Sequence, residues 1–513
     1  MFKFTRVLLV SVWLLVLLSS AVSVSGAGAG DDSGQWRALM AQPVGLTHAW
    51  HTFYGVADSN VNARSVAVDA QGNVYIAGYS NKTWGEPLHD YSGDNDLMVI
   101  KLNAQGAYQW HVFYGAAPDS GNDGNDEAAG IAVDSAGNLY VTGYSDRTWQ
   151  GDGDTDPLNA HGGDADYMFI LSLGADGAYR WHTFFQPGRP EAIDVDDSGV
   201  YVAGIPSGSW AEHAPLRAFP DGGNNLVALK FNDDGLYQWH TYYGSNQNTP
   251  DPTTAFGIVS DAAHNAVYVT GQAPDNWPGG DGSVVPPLHA FSGGDGVSTD
   301  IVVVKLNGAG AYQWHTFYGA ADVSDLGRDI AVDGAGNLYV AGLSAASWDM
   351  PLHAYNAERD ITVLKLDGAG AHQWHTFYGS GTYDDGAGIA LDGSGNVYVA
   401  GTSGAMWLGD GGAEPAHPYA EESLADIVVV KLNANGAFQR HTFYGGGDAH
   451  DSGMDVALGL DASVFVTGLS AITWQGDGNA APLHPHSGNL TGDPYVLKLS
   501  DRVYGIYLPL ILR

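Results

Sequence analysis

Short runs of Val, Ile, Leu and aromatic residues recur along the chain between clusters of Gly, Asn and Asp, and three phrases return in fixed order. A WHTFYG-like phrase begins at Trp50, Trp110, Trp181, Trp239, Trp314, Trp374 and Arg440. A GNVYVAG-like phrase begins near Gly72, Gly137, Ser198, Asn265, Gly336, Gly395 and Ala462, each after a run such as Ile131 to Asp134. A DIVVVKL-like phrase opens at Asp96, Asp166, Asn225, Asp300, Asp360, Asp426 and Asp493. Apolar runs of this length and spacing read as strands, four to a repeat. The joints D-x-x-G-N (Asp134 to Asn138) and N-x-x-G (Asn307 to Gly310) place Gly where a tight hairpin needs positive φ. DIVVV is apolar at successive positions, as in a sheet buried on both faces, so the sheets are expected to stack face to face.

The ends of the array choose between a line and a ring. The first WHTFYG has no DIVVVKL before it, and the last DIVVVKL has no WHTFYG after it. Pairing them completes a seventh four-stranded sheet and removes two bare edges. The expected fold is therefore all-β, a seven-bladed β-propeller of four-stranded antiparallel blades, closed by pairing the N-terminal strand with the C-terminal blade. Residue size agrees: the inner strand carries Ala67, Ala132, Ala331 and Ala390, and the outer strand carries Trp, Phe and Tyr that fill a widening wedge.

The repeat Gly130-Ile-Ala-Val-Asp-Ser-Ala-Gly-Asn-Leu-Tyr-Val-Thr-Gly143 resembles the bacterial SBBP family, the seven-bladed β-propeller repeat, over residues 48 to 500. The resemblance implies the fold and little about activity, because propellers host many functions. Two departures, Phe185-Gln186-Pro187 at the end of the third WHTFYG and Arg440 in place of Trp, predict locally looser packing.

Outside the array, residues 1–29 carry Lys3 and Arg6, an apolar run from Val7 to Leu18 and a small-residue end, which reads as a secretory signal peptide. Residues 30–47 form a lead-in, residues 48–500 the propeller, and residues 501–513 a short apolar tail too short to span a bilayer. The mature chain is expected to be secreted or held at the cell surface as a monomer with no transmembrane span. With no cysteine there is no disulfide framework, so stability must come from packing and closure. A net charge of -37 makes nucleic acid a poor partner. An apolar content of 44% argues against disorder.

Strand direction gathers the longer, variable loops on one face, the expected binding surface. Asp126, Asp325, Asp384 and Asp451 stand five residues before the Ile or Val of the inner strand. They either ring the channel mouth, to hold a cation or basic ligand, or cap their loops by accepting backbone N–H bonds. Trp84, Trp149, Trp210, Trp277, Trp348, Trp407 and Trp474 open loops of the form W…PLHAY. Their rings either make platforms for sugar or peptide, or pin each loop to its sheet. The loop His is His89, His289, His353, His417 or His484, replaced by Asn159 and Arg217.

Asp152, Asp154 and Asp156 in GDGDTD alternate as calcium ligands do, without the Gly and Glu of an EF-hand loop, and a solvated acidic turn is the alternative. No cofactor is required; calcium is the candidate ion. The outer-strand histidines sit on seven different sheets and cannot converge on zinc, so they are expected to pack. No GxSxG, HExxH or Walker loop is present, nor a Cys nucleophile. The expected function is a binding or interaction module for an extracellular glycan, peptide or protein. A carbohydrate-active enzyme using loop carboxylates and a purely structural surface protein are the alternatives.

Overall fold

The computed structural model describes residues 45–501, apart from 119–123, 164, 221–223, 246–251, 280–284, 294–297, 422 and 490. The leader at 1–29, the lead-in before residue 45 and the tail after residue 501 lie outside the described residues. Among the described residues no helix is long and apolar enough to cross a membrane.

Each repeat forms its strands because its apolar runs are short and are cut by turn residues that cap themselves. In the first inner hairpin, Asp69 Oδ1 accepts from the backbone N–H of Gln71 and Asn73 at 2.9 Å each, and Tyr75 Oη donates to Oδ2. Gly72, at φ +79°, closes the turn in a region that Cβ-bearing residues avoid. The result is a β-propeller fold of antiparallel sheets. Among the described residues five sheets have four strands and one has seven.

The seven-stranded sheet arises at the third WHTFYG. Phe185-Gln186-Pro187 gives the chain no Gly at which to leave the sheet, and one strand runs from Tyr179 to Asp196. Its first part pairs with Tyr167–Leu173 and its second with Gly199–Pro206, so it serves as outer strand to one set of four and inner strand to the next. The expected looseness is absent here. Gln186, fully buried, accepts from Tyr242 Oη and donates to the Gly208 carbonyl. At the other departure, Arg440 Nη1 donates to the Gly45 carbonyl at 3.1 Å and ties down the start of the described chain.

The first strand, Thr47–Phe53, pairs antiparallel with the last, Asp493–Ser500, from Thr47 opposite Ser500 to Phe53 opposite Tyr495. Asp493–Ser500 in turn pairs with Ser463–Ser470. Both faces of the middle strands are buried, as the unbroken apolar runs demand: every residue of Val74–Ser80 is buried. The Lys of each KL pair lies against an aromatic ring, as Lys101 does over Tyr75 at 5.0 Å, so its stem covers apolar surface.

The outer strands would leave bare edges, and the PLH segment of each loop covers them. Leu88 N donates to the His111 carbonyl at 2.9 Å and Phe113 N to the His89 carbonyl at 3.2 Å, a pattern repeated at Leu288/His315 and Leu352/His375. Covering an edge in this way blocks pairing with another chain.

Deleting residues 30–55, which removes Thr47–Phe53, exposes the edge of Asp493–Ser500. The expected outcome is a fall in Tm of at least about 5 °C, with association at high concentration. Calorimetry and light scattering of the shortened chain check both.

Candidate functional site

The four loop aspartates are caps. Asp126, Asp325, Asp384 and Asp451 are fully buried and each opens an inner strand. Their Oδ2 atoms accept from Ala116 N (2.8 Å), Ala320 N (2.8 Å), Ser380 N (2.7 Å) and Gly446 N (2.9 Å), which folds the preceding loop back on the strand. Ser403 Oγ and Ser470 Oγ donate to the other oxygen of Asp384 and Asp451. These carboxylates therefore do not ring the mouth of a channel.

They face the Asp that opens the third strand of the preceding sheet, across a glycine. A Cβ on Gly319 would lie 2.7 Å from both Asp300 Oδ1 and Asp325 Oδ2, and Gly115, Gly379 and Gly445 stand the same way between carboxyls. The last residue of WHTFYG is Gly for this reason. Burial, with the like charge of Asp300 added, pushes Asp325 up to about 8; burial pushes Asp300 and Asp384 up to about 6.

The loop tryptophans pin their loops. Trp149, Trp210, Trp277, Trp348, Trp407 and Trp474 are buried, and Trp84 is half-buried. Six of the seven lie flat on the outer-strand histidine, with ring centroids between 3.6 Å (Trp348–His375) and 4.1 Å (Trp277–His315); Trp210 and His240 are tilted instead. Burial leaves Trp149, Trp210, Trp277, Trp348, Trp407 and Trp474 no open face to serve as a platform.

Each His also has at least one fixed partner, and among the described residues His240 is held at Nδ1 alone and His441 at Nε2 alone. His315 Nε2 meets the Trp277 carbonyl at 3.0 Å, and Nδ1 meets Tyr312 Oη at 2.7 Å. A carbonyl only accepts, so Nε2 carries the proton and Nδ1 accepts from the phenol, which is the neutral ring. Burial accordingly pushes all seven outer-strand histidines down to about 4.

The loop histidines close the joint: His289 Nδ1 meets the Phe317 carbonyl at 2.8 Å, and its ring stacks on Tyr318. Asn159 Nδ2 makes the same bond, to Phe184 O at 2.9 Å, and Arg217 puts its guanidinium 5.0 Å over Tyr243. The two replacements thus divide the work of the His between them.

GDGDTD likewise forms a joint between sheets. Asp152 Oδ1 accepts from Tyr114 Oη of the preceding sheet at 2.9 Å, and Asp156 Oδ1 accepts from Gln150 at 2.9 Å. The three carboxylates do not converge, and among the described residues no group of three or more His, Asp or Glu is placed to hold a metal ion.

What converges is a set of residues that the repeats do not share. Each inner strand bears a β-bulge, and the residues set out of register are Arg64, Ala129, Glu191, Phe256, Arg328, Ala387 and Met454. A bulge re-aims its extra side chain. All seven line one cavity of about 500 Å³ and the narrower throat of about 180 Å³ beneath it. The throat is stitched by aspartates that reach to a neighbouring inner strand. Asp455 Oδ2 accepts from Ser65 Oγ (2.7 Å) and Val66 N (2.8 Å), Asp329 Oδ2 from Ile389 N (2.9 Å), and Asp194 Oδ2 from Ser260 N (2.7 Å).

In the mouth, Arg64 pairs with Glu127 at 3.6 Å and Arg328 with Asp385 at 3.3 Å, while the Arg328 guanidinium lies 5.1 Å over Phe256. Glu191 sits among them, and among the described residues its carboxyl has no hydrogen-bond or ion-pair partner. Burial raises its pKa against the pull of Arg64, Arg189 and Arg328. A glycoside hydrolase needs two carboxylates beside one bond. Here Glu127 and Asp385 are each held by an arginine. Guanidinium donors, one carboxyl acceptor and the apolar Phe256 and Met454 make a surface suited to holding a polar ligand.

The family pattern described as SBBP, beta-propeller repeat, matches residues 49–83, 109–147, 313–347 and 373–405. No curated protein matched in the comparison made with this chain. Among solved structures, the chain is similar to the WD40 beta propeller domain of Doa1 at 10% identity and TM-score 0.41, covering 88% of this chain and 97% of that one. It is similar to the beta-propeller domain of the Trilobed protease from Pyrococcus furiosus at 8% identity and TM-score 0.38, covering 91% and 99%. The virginiamycin B lyase from Staphylococcus aureus gives 10% identity and TM-score 0.39, covering 88% and 99%.

Two outcomes test these placements. The Tm of residues 30–513 is expected to be the same in calcium and in chelator, because Asp152 and Asp156 already have partners; a rise in calcium would contradict this. Asp325→Asn tests the buried pairs. A folded pKa of about 8 lies above the ordinary carboxyl value of 3.8, so the wild type loses stability as pH rises toward about 8. The Tm of the variant minus that of the wild type should therefore grow between about pH 5 and about pH 9.

Proposed function

The chain is a protein of SBBP β-propeller repeats, and from that premise we propose that it is an exported binding module whose ligand sits in the mouth lined by the bulge residues. Seven inner strands contribute to one cavity, and the first strand pairs with the last. Both observations support a ring of seven blades, in which the strand Tyr179–Asp196 joins two blades into one sheet. A ring leaves only short, covered outer edges, which suits a chain without disulfides. The leader at 1–29 directs the chain out of the cytoplasm, to work in the medium or at the cell surface as a monomer.

One observation carries the reading. At the bulge position, and in the same mouth, the repeats place two Arg, one Glu, one Phe, one Met and two Ala, while the residue two places on is Val or Ile in every repeat. Packing would reward the same residue seven times, whereas an asymmetric ligand needs different ones. A lone carboxyl between two guanidiniums, with Phe256 beside them, offers donors, an acceptor and an apolar face to an extracellular glycan, peptide or protein loop.

The test uses residues 30–513 on glycan and peptide arrays, with Arg328→Ala, Glu191→Gln and Phe256→Ala beside the wild type. A saturable ligand of the wild type is expected to weaken at least about tenfold in Arg328→Ala or Phe256→Ala, with Tm little changed. A purely structural protein would show no saturable ligand. Binding undiminished in all three variants would move the site elsewhere.

A further inference from the structure

We propose a second site, for a neutral sugar ring, in the outer groove between the sheet holding Thr47–Phe53 and the sheet holding Val61–Val68. The argument begins with what fills this place elsewhere. In four sheets the Trp loop is long, and its glycine lies flat on the ring that opens the outer strand. A Cβ on Gly151, Gly279, Gly409 or Gly476 would come within 2.4 Å of Tyr179, Tyr312, Phe438 or His48. In three of these loops the Asp that follows accepts from the Tyr hydroxyl of the preceding sheet: Tyr114 to Asp152, Tyr378 to Asp410 and Tyr444 to Asp477.

The loop at Trp84 reads Trp-Gly-Glu-Pro and lacks both the covering glycine turn and the Asp. Tyr108, which opens that outer strand, is consequently 41% exposed, and Trp84 is the one loop tryptophan not fully buried. A groove of about 910 Å³ is left, lined by Tyr54, Trp84, Tyr108, Gln105, Gln109 and Glu86 among others. Tyr54 is the counterpart of Tyr114. It is only 8% exposed and lines the groove, and its hydroxyl, which meets the Thr52 side chain, has no acidic loop to donate to as its counterparts have.

The missing loop thus leaves two needs: an apolar face for Tyr108 and Trp84, and an oxygen for Tyr54. A pyranose supplies both, its C–H face against the rings and its hydroxyls toward the phenol and the amides. The lining contains no Lys or Arg, so an anionic group is not what it favours. The volume falls in the range of small-ligand sites, about 300–1,000 Å³.

The test titrates residues 30–513 with cellohexaose, laminarihexaose and chitohexaose, followed by tryptophan fluorescence and calorimetry. At least one is expected to bind saturably. Tyr108→Ala and Tyr54→Phe should each weaken it at least about fivefold, while Arg328→Ala in the channel mouth should leave it unchanged. A loop graft, replacing residues 85–86 with the 150–156 segment, should abolish binding while keeping Tm at or above the wild-type value. Three results would each overturn the site: no saturable binding, undiminished binding in both tyrosine variants, or binding that survives the graft. Loss in Arg328→Ala alone would assign the sugar to the mouth instead.

Discussion

Each sheet in this molecule can bury both faces only because another sheet lies against it, and the joint between consecutive sheets is the constraint on which everything else depends. The middle strands are apolar at successive positions, so an isolated sheet would expose one apolar face entirely. The joint is polar as well as apolar. A Tyr hydroxyl of one sheet reaches an Asp in the next loop, carboxyls from two sheets meet across a Gly, and inner-strand aspartates accept from the neighbouring strand's backbone. Much of the acidity that suggests a cation binder is spent on these contacts. Asp69, Asp134, Asp333 and Asp392 cap hairpins, and Asp126, Asp325, Asp384 and Asp451 cap loops.

The fold was legible in the sequence because its determinants are local and repeated. D-x-x-G-N fixes a turn whatever surrounds it, and seven copies in phase leave little choice of strand order. Three things were not legible, each for a physical reason. The merging of two strand sets at Tyr179–Asp196 depends on Phe185-Gln186-Pro187, which marks a departure but not its outcome. The ring on which each loop tryptophan lies was not legible either, though its pinning role was: it is a histidine 27 residues later for Trp84 and 38 later for Trp277, and no local pattern links them. The bulge residues are invisible to periodicity, since a bulge breaks the alternation by which a strand is read. One signal was present: Arg64, Ala129, Glu191, Phe256, Arg328, Ala387 and Met454 hold one repeat position, two residues before a Val or Ile that every repeat keeps, and they range from Ala to Arg.

The same contrast between constant and variable positions separates scaffold from function at both candidate sites. In the mouth, constant bulge geometry presents different side chains. In the outer groove, constant aromatic positions are exposed by a loop that differs. Neither site requires a departure from the scaffold's own chemistry, because Tyr108 is the counterpart of rings that four other sheets cover and Tyr54 the counterpart of hydroxyls that three loops pair with Asp.

The joint also sets how the molecule meets acid. The seven buried histidines, held near 4 against an unfolded value near 6.5, are neutral when folded, so their contribution is full above about pH 6.5 and is lost as pH falls toward 4. The paired aspartates run the other way. Asp96, Asp300, Asp384 and Asp451, raised to about 6 from 3.8, contribute fully below about pH 4, and that contribution is lost as pH rises through 6. Both sets titrate between about pH 4 and pH 6.5, one taking up protons on unfolding and the other releasing them. Their slopes oppose within one window. A chain with 57 acidic residues therefore need not become steadily less stable as its surface carboxylates are neutralised, because the groups that govern the joint between sheets are balanced against each other.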